Sequence, residues 1–133
     1  MAMTDNERRQ FFRIELDTPI RFRLIEEKTS KPLTDWMNGI TADVGLGGVK
    51  IIAAMSEAKV ETLVDKYVFI ELSFQLPGAA EAISATATIA YFMRGATMSK
   101  ATMVSFGASF VTIDNTAEDA LGKFISQRID PPA

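Results

Sequence analysis

At 133 residues the chain is expected to form one domain, long enough to bury its own core. Apolar residues make up 47% and charged residues 23%, ordinary globular usage, and no apolar run approaches the roughly 20 residues of a membrane helix. The net charge of −3 gives the surface no general attraction for a nucleic acid polymer.

The opening stretch, Met1 to Glu7, is polar and acidic with no apolar run after it. It does not read as a secretory signal, and a cytoplasmic location is the expectation. Arginine is concentrated next, at Arg8, Arg9, Arg13, Arg21 and Arg23. Ile20 to Leu24 alternate as a half-buried strand, with Ile20, Phe22 and Leu24 inward and Arg21 and Arg23 on a solvated face. Glu26 to Asn38 is polar, broken by Lys31-Pro32 and Asn38-Gly39, and reads as a loop. Trp36 within it is expected to act as a lid over one end of the core.

Ile40 to Asp43 leads into Gly45-Leu46-Gly47-Gly48 and an apolar run from Val49 to Ala54, which is strand, glycine-rich turn and strand. A short helix or loop around Glu57 to Val64 follows. Val68 to Leu76 alternates strongly, with Ile70, Leu72, Phe74 and Leu76 on one face, and Pro77-Gly78 stops it. Ile83 to Met93 and Val104 to Ile113 are further strands, joined by a mostly polar hairpin loop over Arg94 to Thr102. Thr116-Ala117-Glu118-Asp119 is a capping pattern. Leu121, Phe124, Ile125 and Ile129 then fall at helical spacing before Pro131-Pro132.

Strands at this spacing, closed by one helix, predict a mainly β protein. The expected architecture is a six-stranded antiparallel β-barrel over residues 14–113, with a C-terminal α-helix over 116–130 and a mobile arginine-bearing segment over 1–13.

The chain has neither histidine nor cysteine. The commonest general base, a thiolate nucleophile, a Ser–His–Asp triad, a disulfide frame and a thiolate zinc site are all excluded. Carboxylate-only or Lys-based catalysis stays open to the residues present, but no spaced carboxylate pair stands out. An enzyme, a bound cofactor and a metal site are not expected.

Two features remain that a barrel core does not require. The first is Arg9-Gln10-Phe11-Phe12-Arg13, preceded by Arg8. Spacing of four puts Arg9 and Arg13 on one side of a strand or of a helical turn. Guanidinium forks suit phosphate oxygens and the O6/N7 edge of guanine, and they stack on base faces. The second is Asp43-Val44-Gly45-Leu46-Gly47-Gly48. Its carboxylate can accept from guanine N1 and N2 hydrogens, and its glycines are expected to let the backbone approach a ligand and take positive φ. Either feature alone is weak, since paired arginines are common and glycines between strands usually mark a tight turn.

Together and in this order they resemble the PilZ family, bacterial receptors for the second messenger cyclic di-GMP. The family pattern is Arg-x-x-x-Arg, then Asp/Asn-x-Ser-x-x-Gly after a strand and a loop. Arg9 and Arg13 match the first part, and Asp43 and Gly48 the second. Pro77-Gly78, the run Phe106-Gly107-Ala108-Ser109-Phe110 and the terminal helix fit as well, so the resemblance runs from about Glu7 to Ile129. Gly45 departs from it, standing where the family carries serine.

The resemblance implies a split barrel that binds cyclic di-GMP through Arg8, Arg9, Arg13, Asp43, Gly45, Gly47 and Gly48. Arg9 and Arg13 would clamp phosphate and guanine, Asp43 would take a guanine edge, and the glycines would shape the turn. Arg8, just before the first motif arginine, would stack on a second guanine and give two ligands per protomer. The arginine segment folding over the ligand would act as a switch and relay the signal to an unidentified downstream protein. An interaction module that no longer binds the messenger, for want of the motif serine, is the alternative. A flavin-using reductase on a small barrel is the remaining one.

Overall fold

The computed structural model describes residues 12–65 and 67–129. Among them the strands are β1 (Ile14–Glu26), β2 (Met37–Gly45), β3 (Gly48–Met55), β4 (Val68–Phe74), β5 (Ile83–Met98) and β6 (Ala101–Ile113). Two helices, α1 (Glu57–Leu63) and α2 (Asn115–Ile129), complete the order. The strands close a barrel in the order β1-β2-β3-β6-β5-β4, every neighbour antiparallel. Closure gives every strand a neighbour on both sides, although β5 beyond Ala87 pairs with β6 alone.

Alternation decides which side chains fill the barrel. Ile20, Phe22 and Leu24 of β1, with Ile70, Leu72 and Phe74 of β4, are all buried. Phe22 meets Phe106 of β6 edge to face, ring centroids 5.6 Å apart, a pairing that adds about 0.5–1.5 kcal/mol to simple burial. Leu121, Phe124 and Ile125 of α2 join the same core, which is why the helical spacing of these residues fixes the helix on the barrel. At Pro77-Gly78 the chain turns with Gly78 at φ 80° and the Ala79 N–H donating to the Leu76 carbonyl at 3.0 Å, a conformation glycine favours.

Three expectations need correction. Arg94 to Thr102 is the expected hairpin connection but not an open loop: β5 and β6 continue as a ribbon to a tight turn at Ser99-Lys100, φ 48° and 69°. Two successive left-handed residues make the turn whose twist matches a hairpin, and here it forms without the usual Asn-Gly. Glu57 of α1 clasps that ribbon, accepting from Arg94 Nη1 at 2.7 Å and Thr102 Oγ1 at 2.6 Å. Those bonds, Thr102 first, hold its carboxyl below the usual carboxylate range.

The cap of α2 is Asp114, not Thr116. Its Oδ1 accepts from the Ala117 N–H at 2.7 Å, so the helix begins a residue before the expected capping pattern. Trp36 is no lid over the core. It lies on the outer face of β1, with the Arg21 and Arg23 guanidinium carbons 4.9 and 4.5 Å from its ring centroid. Arg23 also pairs with Glu71 across to β4, at 3.2 Å. This is the solvated arginine face, built into a cation–π stack.

Candidate functional site

The β2–β3 hairpin positions the site. Gly45 pairs with Gly48, leaving Leu46-Gly47 as its tip, and Asp43 stands opposite Lys50. A register shift between Thr41 and Asp43 accompanies the change of facing: Thr41 is buried, whereas Asp43 is partly exposed. Arg13, just before β1, reaches over this hairpin. Its Nε donates to Asp43 Oδ1 at 2.5 Å and its Nη2 to the Gly48 carbonyl at 3.3 Å. The guanidinium is therefore held by two acceptors while its side chain stays 44% exposed, leaving room for an anion to approach.

Each glycine has its own reason. A Cβ on Gly48 would overlap the Ala108 carbonyl oxygen, because β3 and β6 run together there. One on Gly47 would meet nothing within 4 Å. One on Gly45 would stand 3.1 Å from Arg13 Nη1 and 3.4 Å from the Phe12 carbonyl oxygen. None of the three takes positive φ, which corrects the expectation from the sequence; among the described glycines only Gly78 does. Close approach of backbone and of Arg13, not left-handed geometry, is what they serve.

A shallow cavity of about 360 Å³ opens on this face between Arg13, Asp43 and Gly48 on one side and Lys50, Tyr91 and Ser109 on the other. Sequence reasoning missed these last three. Tyr91 pairs with Gly107 across β5 and β6, and its ring lies on that glycine so closely that a Cβ there could not fit. The packing fixes the ring while leaving the residue 46% exposed, a platform on which a flat base can stack. The signal lay in the pairing, which depends on a register shift between Ile89 and Tyr91.

Arg13, Asp43, Gly47 and Gly48 thus line one cavity, with Gly45 under the Arg13 side chain. Arg8 and Arg9 lie outside the described residues. A larger groove, about 490 Å³, runs between Leu46 and α2, away from the arginine–aspartate pair. Among the described residues no cluster of carboxylates suited to a metal ion occurs, and no helix is long and apolar enough to cross a membrane.

The PilZ domain model matches residues 7–127. The chain belongs to the PilZ domain family. Among curated proteins no sequence matches it. The PilZ fold recurs in solved structures at low identity. The PilZ domain of Escherichia coli YcgR with c-di-GMP is 12% identical, with TM-score 0.55 over 94% of this chain and 99% of that one. Borreliella burgdorferi PlzA in complex with c-di-GMP is 9% identical, with TM-score 0.60 over 97% of this chain and 56% of that one. Bacillus subtilis inhibitor of motility MotI is 12% identical, with TM-score 0.59 over 91% and 51%. The PilZ chain described here thus spans about half the length of the last two. At such identities the likeness concerns the fold.

Proposed function

We propose that the protein is a cytoplasmic receptor for cyclic di-GMP that passes the messenger level to a partner protein and catalyses no reaction. The observation that carries this reading is Arg13 seated on Asp43 and the Gly48 carbonyl, which draws the two halves of the family pattern onto one face. Support comes also from the similar folds of the YcgR PilZ domain and of PlzA, both solved with c-di-GMP. Arg9 and Arg13 clamp phosphate and guanine, Asp43 accepts from a guanine edge, and Arg8 stacks on a second base. Tyr91 offers its open ring to a guanine, and Lys50 adds a cation at the rim. Equilibrium titration with cyclic di-GMP tests the reading.

Tyr91→Ala should weaken binding about tenfold, because base–aromatic stacking contributes roughly 1–3 kcal/mol. Tyr91→Phe should retain most of the affinity in the same titration. An alanine variant that binds like the parent would remove the platform from the site.

Gly45 favours the second reading, a PilZ interaction module that has given up the messenger. Its missing hydroxyl is worth about 0.5–1.5 kcal/mol where geometry is good. Its backbone is not left-handed, and the nearest obstacle to a side chain is the far end of Arg13, which can shift. Gly45→Ser should therefore tighten binding several-fold at unchanged Tm, measured on the same preparation. Weaker binding with intact stability would contradict this account of the departure.

A further inference from the structure

Lys50 and Ser109 are the two polar side chains that β3 and β6 bring to the cavity beside Arg13. Lys50 pairs with Gly107 and Gly48 with Ser109, so Ser109 lies two residues beyond the partner of Lys50, diagonally across the same two strands. Diagonal neighbours on one face are about 7–8 Å apart, within the span of a long side chain. Gly48 makes this approach possible. A Cβ there would come within 3.2 Å of the Ser109 Cα, so the bare glycine lets β6 carry Ser109 against the β2–β3 hairpin. The Phe110 N–H, donating to the Gly47 carbonyl at 2.8 Å, holds it there.

The fold gives neither side chain a partner. Lys50 is half-buried and stands opposite Asp43, yet that carboxylate is held by Arg13. Among the described residues Lys50 has no ion pair, and the exposed Ser109 hydroxyl makes no hydrogen bond. A partly desolvated ammonium without a counter-ion favours an anion beside it. A hydroxyl fixed on the neighbouring strand adds a directed donor, and charge plus donor suits a phosphate oxygen. Arg13 leaves such an oxygen to find. With Nε on Asp43 and Nη2 on the Gly48 carbonyl, its remaining donors serve one phosphate, and cyclic di-GMP carries two.

We propose that Lys50 and Ser109 form a second anion subsite in this cavity, which holds the phosphate of cyclic di-GMP that Arg13 does not. This deepens the receptor reading and rests on it. The subsite lies outside the pattern carried by Arg9, Arg13, Asp43 and Gly48, and its hydroxyl offsets the one absent at Gly45.

Calorimetric titration of the 133-residue chain with cyclic di-GMP, at low and at high ionic strength, tests the subsite. Lys50→Met keeps the aliphatic stem and should weaken binding about tenfold, with a shallower salt dependence than the parent. Lys50→Arg, which keeps the charge and a donor, should stay within about threefold of the parent. Ser109→Ala should weaken binding about three- to tenfold, whereas Ser109→Thr should retain the parent affinity. Because the two side chains share one phosphate, Lys50→Met/Ser109→Ala should lose less than the product of the single losses. Melting temperatures should stay near the parent's throughout. Unchanged affinity in Lys50→Met and Ser109→Ala, with a parent that binds, overturns the subsite and leaves the receptor reading standing. Losses that multiply in full overturn the shared phosphate. A loss in Ser109→Thr as deep as in Ser109→Ala assigns the effect to packing and overturns the hydroxyl contact. No heat from the parent removes the receptor reading, and the subsite with it.

Discussion

Gly48→Ala is expected to destabilise the protein by about 3 kcal/mol and to lower Tm on the order of 10 °C. The added Cβ has no flexible side chain to push aside. It would overlap the Ala108 carbonyl oxygen, within the ladder where Gly48 pairs with Ser109 and Val49 with Ala108. Relief requires β3 and β6 to part, which breaks ladder hydrogen bonds beside the core residues Val49 and Phe106. Because the Gly48 carbonyl also holds Arg13, ligand affinity should fall with stability. Gly47→Ala is the control: open space surrounds that position, so Tm should move by no more than a degree or two. Thermal unfolding of the two variants side by side decides the matter. Equal Tm values would mean that the β3–β6 approach is looser than described.

Arg13→Ala should weaken cyclic di-GMP binding tenfold or more while leaving the fold intact. Charge-assisted hydrogen bonds from a guanidinium to phosphate are worth roughly 1.5–3 kcal/mol, which corresponds to about ten- to a hundredfold in affinity. The effect on stability should be small, because the Arg13–Asp43 pair has side chains 44% and 22% exposed, and solvent screens such pairs to about 1 kcal/mol or less. Arg23→Ala should show the opposite pattern. That residue is tied to Glu71 and Trp36 on the outer face of β1 and β4, away from the cavity. Its loss should lower Tm and spare affinity. Calorimetric titration and a melting curve on both variants separate a binding arginine from a structural one.

Alternation made the barrel legible: Ile20, Phe22 and Leu24 point inward because a strand offers them no other common face. The helical spacing of Leu121, Phe124 and Ile125 was equally plain, since all three had to meet one core. The start of that helix was not. Asp114 and Thr116 are both good caps, and only the end point of β6 decides between them. The Ser99-Lys100 turn lacks the Asn-Gly that marks a two-residue hairpin turn, so the paired ribbon around it reads as a longer hairpin loop.

In the site, Arg13 and Asp43 were legible as residue types in a pattern. Tyr91 was not, because its value depends on which residue it faces. That partner, Gly107, is set by a bulge in β5 that no local signal marks. Trp36 was misread for a similar reason: two outward arginines make an exposed ring stable without a core beneath it.

The most direct test of the receptor reading is a calorimetric titration of the 133-residue chain with cyclic di-GMP at fixed ionic strength. The expected result is saturable heat at micromolar ligand or below, with two ligands per protomer, and affinity at least tenfold weaker on Arg13→Ala. No heat at high micromolar ligand, from protein that still melts cooperatively, would contradict it and leave the PilZ barrel as an interaction module alone.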